Sequence, residues 1–255
     1  MRRRHIRSIA LGSLALALAA PPRHAAAQAA PAPQRPWRFG TEIAFTDISG
    51  NRQLQLFQST FTAVRQTPES FNFDFKFETK YGRSEHVEAA RSAAARMRLD
   101  WTPRAAVSPF LGLDWEYDRM RRIDSRVSGG VGANLNIDRR ETARTTLSLG
   151  VVEELVKTAS AGESPGTSRS DTRLHSRFAI LRTLRTGVQL EFNLKYQPAT
   201  ARMSDYLFKA DGAVRVALST KLSWRTTYVW SRDSRPASGV GKNDRVLTTG
   251  LLISW

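Results

Sequence analysis

The chain has 255 residues, a formal net charge of +16, 41% hydrophobic residues and no cysteine. That balance excludes a disordered chain, a disulfide framework and any thiolate metal site, and leaves room for one large β domain or two small ones. A strongly basic chain also raises nucleic acid as a partner, but no basic motif interleaved with aromatics reads bases here, so none is expected.

The elements run as follows. Arg2, Arg3, Arg4, Arg7 and Arg23 surround an apolar run from Ile9 to Ala20, followed by "HAAAQAAPAP". This is the pattern of a secretory signal peptide over residues 1–27, with the cut after Ala27. An apolar run of about a dozen residues is too short for an anchor helix, which needs roughly 20. Loss of 1–27 removes five arginines and no acid, so +16 becomes +11. Residues 28–36 form a Pro/Ala-rich linker, and the folded domain is expected over 37–255. No later apolar stretch approaches helical membrane-spanning length, so any spanning structure must be a closed sheet.

From Trp37 onward the dominant signal is a period of two. "FNFDFKFETKY" (71–81) puts aromatics or Thr at odd positions and Asn, Asp, Lys or Glu at even ones. Successive strand residues face opposite sides, so this segment has one aromatic face and one charged face. "VQLEFNLKYQ" (188–197) and "VSPFLGLDWEYD" (107–118) repeat the pattern. Strands are predicted at 37–47, 53–65, 71–81, 90–101, 107–118, 125–137, 142–153, 172–184, 187–197, 206–218, 221–232 and 245–255. Most are 11 to 13 residues long, as a tilted membrane strand requires. After a tight "ISGN" turn the connections are expected to alternate short and long, the longest running from Glu154 to Asp171. An even-stranded barrel with both termini in the periplasm has that rhythm.

Trp37, Tyr81, Trp101, Tyr117, Tyr196, Tyr206, Trp230 and Trp255 fall near strand ends on the apolar parity. Amphipathic rings settle at headgroup depth, so these eight are the expected interfacial aromatics. The last segment, "RVLTTGLLISW", puts Leu247, Leu251, Ile253 and Trp255 on one face. A closing strand of this kind resembles the signal read by the barrel-assembly machinery, an expected partner beside outer-membrane lipid and lipopolysaccharide. Basic residues of the outer connections (Arg83, Arg119, Arg121, Arg122, Arg202, Arg232, Arg235 and Lys242) suit lipopolysaccharide phosphates or a merely solvated surface equally well.

"DISGNRQLQL" (47–56), "DWEYDRMRRIDSRVSGGVGANL" (114–135) and "SLGVVEEL" (148–155) resemble the salt-induced outer-membrane protein family, domain of unknown function 481. The features that carry it are the turn Ser49, Gly50 and Asn51; Asp118 and Arg119 at a strand end; and Arg126, Gly130 and Gly132 on the next strand. The resemblance spans most of 40–255 and implies an outer-membrane barrel without established catalytic residues.

If the apolar parity faces lipid, the other parity lines a lumen. The candidate lumen charge network is Arg96, Arg98, Asp114, Glu116, Asp118, Arg126, Arg173, Arg177, Arg215 and Arg225. A hairpin at 119–124 is expected to set Arg126 opposite Asp118, with Arg96 and Arg98 on the preceding strand. Cross-strand charges of opposite sign stabilise register, and a network of that kind is favoured over a binding site. The functional alternative is a basic passage for anions, from the excess of arginine on the later strands.

Catalysis is not expected. Only His86 and His175 follow the signal peptide, and neither sits in a nucleophile elbow or a metal-ligand spacing. No cofactor or metal is expected. The sequence therefore predicts an all-β, single antiparallel up-and-down transmembrane β-barrel of about 12 strands, exported to the outer membrane. Its role would be a small-solute or anion channel, or envelope integrity. A soluble periplasmic ligand-binding β-barrel is the alternative, and an outer-membrane enzyme a second.

Overall fold

A computed structural model describes residues 37–48, 54–67, 70–84, 87–140, 142–160 and 166–255. The expected signal peptide (1–27), the expected linker (28–36), the expected turn at Ser49, Gly50 and Asn51, and His86 lie outside the described residues. Among the described residues, twelve strands close into one barrel in which each pairs antiparallel with its sequence neighbours and β1 pairs with β12. They are β1 (Trp37–Ile48), β2 (Leu54–Thr67), β3 (Phe71–Ser84), β4 (Val87–Trp101), β5 (Val107–Asp118) and β6 (Ile123–Arg140). The second half comprises β7 (Ala143–Thr158), β8 (Ser168–Arg185), β9 (Val188–Ala199), β10 (Arg202–Ala217), β11 (Leu222–Asp233) and β12 (Asn243–Ser254).

The period-two pattern explains the wall. Phe57, Phe61, Phe77, Leu111, Leu113, Val131, Leu149, Val151, Phe192, Leu247 and Leu251 are all exposed on the outer face. A sheet surface this apolar suits hydrocarbon, whereas a water-soluble barrel would show charges there. Polar residues on that face find partners. Ser59 and Thr79 hydroxyls lie 3.1 Å apart, and those of Thr226 and Thr249 lie 3.0 Å apart. Hydroxyls facing lipid thus satisfy one another across strands.

The eight expected interfacial aromatics all carry the outward parity. Trp37, Tyr81, Trp101, Tyr196 and Trp255 are exposed, and Tyr117, Tyr206 and Trp230 are half-buried. Trp37 stacks on Phe39, Tyr196 leans on Tyr206, and Trp230 meets Phe208 edge-on. Trp255 closes the ring, since it exchanges backbone hydrogen bonds of 3.1 Å in both directions with Phe39.

One expectation about the connections is corrected. The stretch from Glu154 to Asp171 is not a loop of eighteen residues, because β7 and β8 stay paired as far as Lys157 and Ser168. The expected gap of residues 198–205 shrinks likewise to the two residues between β9 and β10. Above the apolar belt the sheet is held by backbone bonds and by Glu153, which accepts from Ser170 at 2.6 Å and Thr172 at 2.7 Å. Apolar alternation therefore stops before the strands do.

Two glycines shape the inner wall. A Cβ on Gly132 would lie 2.2 Å from the Leu149 carbonyl oxygen, and one on Gly150 would lie 2.3 Å from that of Val131. Gly132 pairs with Phe110 and Gly150 with His175 in the neighbouring strands. The two rings fill the space in front of the glycines, with centroids 5.6 Å apart.

Candidate functional site

The inward parity builds a charged lumen. At its outer end Arg126 of β6 donates from Nη1 to Glu116 (3.2 Å) and from Nη2 to Asp233 (3.0 Å), and its Nε lies 3.4 Å from Glu154. Glu116 faces it across the β5–β6 ladder, and Glu154 lies on β7. Asp233 ends β11, five strands away around the ring, so this bond crosses the lumen. Arg121, in the β5–β6 turn, adds a second bridge, 2.7 Å to Glu116, 3.4 Å to Asp244 and 3.8 Å to Asp233.

Next to it, Arg173 of β8 is fully buried and donates to Glu154 at 2.9 Å and Asp205 at 3.1 Å. A buried guanidinium is tolerated only when its donors are matched, and here three carboxylates (Glu154, Asp205 and, at 3.5 Å, Asp171) and the Gln197 and Asp205 carbonyls share them.

Below this layer Arg96 donates to Asp114 at 2.7 Å, and Lys195 reaches the same carboxylate at 3.7 Å from four strands away. Nearer the inner end Arg98 donates to Asp100 (3.0 Å) and Asn134 (2.7 Å), and its guanidinium lies 4.0 Å over the Phe110 ring. Arg225 spans from Glu191 (2.8 Å) to Glu42 (3.4 Å), joining β9, β11 and β1.

The expected network thus divides. Arg96, Arg98, Asp114, Glu116, Arg126, Arg173 and Arg225 sit in ion pairs. Arg177 instead donates to Asn193, which donates to Asp211, and Arg215 donates to the Ser223 hydroxyl. The pairing of Arg126 with Asp118 is corrected. The hairpin closes tighter than expected, with Asp118 opposite Ile123, and beyond a register shift Glu116 stands opposite Arg126. Asp118 caps the turn instead, accepting from the Arg121 backbone N–H at 3.0 Å. The expected surplus of arginine on the later strands is also offset, since Glu154, Asp205, Glu42 and Glu191 compensate Arg173 and Arg225.

Three carboxylates central to this arrangement, Glu154, Asp205 and Asp233, are absent from the expected set. Glu154 falls where "VVEELVK" is apolar on both parities, so its direction is not marked. Asp233 continues the inward series Arg225, Thr227, Val229 and Ser231 one residue beyond the predicted strand end. His175 is a packing residue, with Nδ1 3.1 Å from Gln197 Nε2 and its ring against Phe110.

Two cavities flank the Arg126 layer. The outer one, of about 390 Å³, lies between that layer and the β11–β12 loop. The second, of about 220 Å³, lies within the lumen among Lys76, Glu78, Arg96, Asp114 and Lys209. Arg121 and Arg126 line both.

A family model described as protein of unknown function, DUF481, matches residues 41–255. The chain belongs to this family. Among solved structures, the DUF481 chain is similar to an outer-membrane channel from Pseudomonas putida F1. The two are 10% identical with a TM-score of 0.53, over 88% of this chain and 97% of that one. The translocator domain of autotransporter NalP from Neisseria meningitidis is 9% identical, with a TM-score of 0.48 over 87% and 89% of the two chains. The KdgM porin is 10% identical, with a TM-score of 0.43 over 86% and 99%. No curated protein matches this DUF481 chain. At such identities the likeness speaks for the fold, and the fold is that of an outer-membrane barrel.

Proposed function

We propose that the protein is an exported outer-membrane barrel, closed at rest, that passes small solutes when the Arg126 layer yields. The observation that carries this reading is the shared wall: the same two side chains, Arg121 and Arg126, separate the outer cavity from the lumen cavity. A partition of side chains rearranges on rotamer and loop timescales, with no strand needing to unpair. Because the lumen arginines are largely matched by carboxylates, the passage favours anions weakly at most.

Planar-bilayer recording of the purified full-length barrel tests the proposal. Wild-type protein should open rarely, and Asp233→Asn, which loosens the cross-lumen bridge, should raise the open fraction. A wild type that conducts as a stable wide pore would overturn the closed state. A silent Asp233→Asn variant would remove the passage and leave envelope integrity as the role. That second reading is favoured by the ion pairs that tie β5, β6, β7, β8, β10 and β11 into one unit.

The proposal assigns the protein no reaction. Its partners are outer-membrane lipid, lipopolysaccharide and the assembly machinery. Support for the last is the outward row Leu247, Leu251, Ile253 and Trp255, all exposed.

A further inference from the structure

The outer cavity has a composition that closing the lumen does not require. Five arginines line it (Arg121, Arg122, Arg126, Arg169 and Arg235), and one carboxylate, Asp233. Arg121 and Arg126 form its floor and are engaged by Glu116, Asp233, Glu154 and Asp244. The walls are held less tightly. Arg169 Nη1 is 3.8 Å and Arg235 Nη1 is 3.7 Å from Asp205 Oδ2, both beyond hydrogen-bond reach, while Arg173 holds Oδ1 of the same carboxylate at 3.1 Å. Arg169 Nε is buried and has no aligned acceptor, although Asp171 lies 3.1 Å away. Arg235 is 61% exposed at the mouth. Arg169 and Arg235 thus reach the same Asp205 oxygen only at ion-pair distance and present donors to the same space.

The remaining lining mixes apolar residues, Ile123, Val156, Pro236 and Val240 among them, with the hydroxyl residues Thr158, Thr167 and Ser238. A volume near 390 Å³ falls within the range of small-molecule sites, where a few convergent polar groups orient a largely apolar contact surface. Arginine forks match phosphate oxygens bidentately.

We propose that this cavity binds a phosphomonoester carried on a compact organic body, with Arg169 and Arg235 as the phosphate-binding residues. The chemistry fits either a free sugar phosphate or a phosphate of lipopolysaccharide reaching over the rim. The site does not depend on conduction, since Arg169 on β8 and Arg235 after β11 stand apart from the bridge between Arg126 and Asp233.

The test is isothermal titration of the full-length folded barrel in detergent at low salt, with glucose 1-phosphate as probe and glucose as control. Saturable binding of the phosphate and none of glucose is expected, weakening as salt rises. Arg235→Gln, an exposed change that leaves the wall intact, should weaken binding about tenfold, and Arg169→Gln/Arg235→Gln further still. Retained heat-modifiable gel mobility shows that each variant is folded. Displacement of the probe by lipopolysaccharide supports the site with lipid phosphate as its source, and no displacement supports it with a free solute. Absence of saturable binding, or equal binding by wild type and folded Arg235→Gln, overturns the proposal.

Discussion

Arg126 Nη2 on β6 and Asp233 Oδ2 on β11 meet at 3.0 Å, although their strands stand almost opposite one another in the ring. Both side chains are buried or nearly so. Arg126→Gln should therefore leave Asp233 with Arg121 at 3.8 Å as its remaining lumen cation, and act on conductance in the same direction as Asp233→Asn. Reversal potentials in a salt gradient would then shift toward cation preference for Arg126→Gln and away from it for Asp233→Asn, which separates the two changes electrically.

Removing one partner of a buried ion pair costs more than the pair contributes. Arg173→Gln should destabilise the folded barrel by about 3–5 kcal/mol, because Glu154 and Asp205 lose a shared guanidinium. Urea titration monitored by gel mobility measures this. Adding Glu154→Gln to Arg173→Gln should recover part of the loss, since one stranded charge is then gone.

Inner-wall glycines should differ sharply in tolerance. Gly132→Ala pushes a methyl into the Leu149 carbonyl and the Phe110 ring, costing about 1–3 kcal/mol or more. Gly112→Ala meets nothing nearer than the Met97 oxygen at 4.0 Å and should be nearly neutral. Unfolding midpoints of the two variants in one urea series decide the matter.

A membrane setting predicts that the cost of an outward charge depends on depth. Val131→Arg, midway along β6 on the exposed face, should cost about 2–4 kcal/mol in bilayers. Ile137→Arg, near the inner end of the same strand and beside Asp138 and Arg140, should cost about 0–1 kcal/mol. Equal effects at both positions would contradict a lipid belt around the middle of the strand. Refolding into vesicles with a urea endpoint gives the comparison.

All twelve strands were legible in the sequence because lipid on one side and a charged lumen on the other enforce alternation, as Phe71 to Tyr81 and Val188 to Gln197 show. The outer strand ends were not. Beyond the belt both faces of the wall are wet, so Glu153, Ser170 and Thr172 serve there without any apolar partner parity. The same region hides Glu154, and with it the link between Arg126 and Arg173. Asp118 was misplaced for a different reason. The hairpin closes at Asp118 and Ile123, two residues tighter than expected, and with a register shift between Glu116 and Asp118 this brings Glu116 opposite Arg126; neither the turn length nor the shift leaves much trace in composition. That Asp233 would meet Arg126 depends on a distance across the barrel, and periodicity along one strand carries no information about a chord through the ring.

The wall is not equally knit around its circumference. Between β1 and β12 the paired register covers Gly40–Ile43 with Leu251–Ser254, whereas β1 and β2 match along twelve residues. A hoop parts at its shortest splice, so mechanical or thermal opening should begin along this line, with Phe39 and Trp255 as its last clasp.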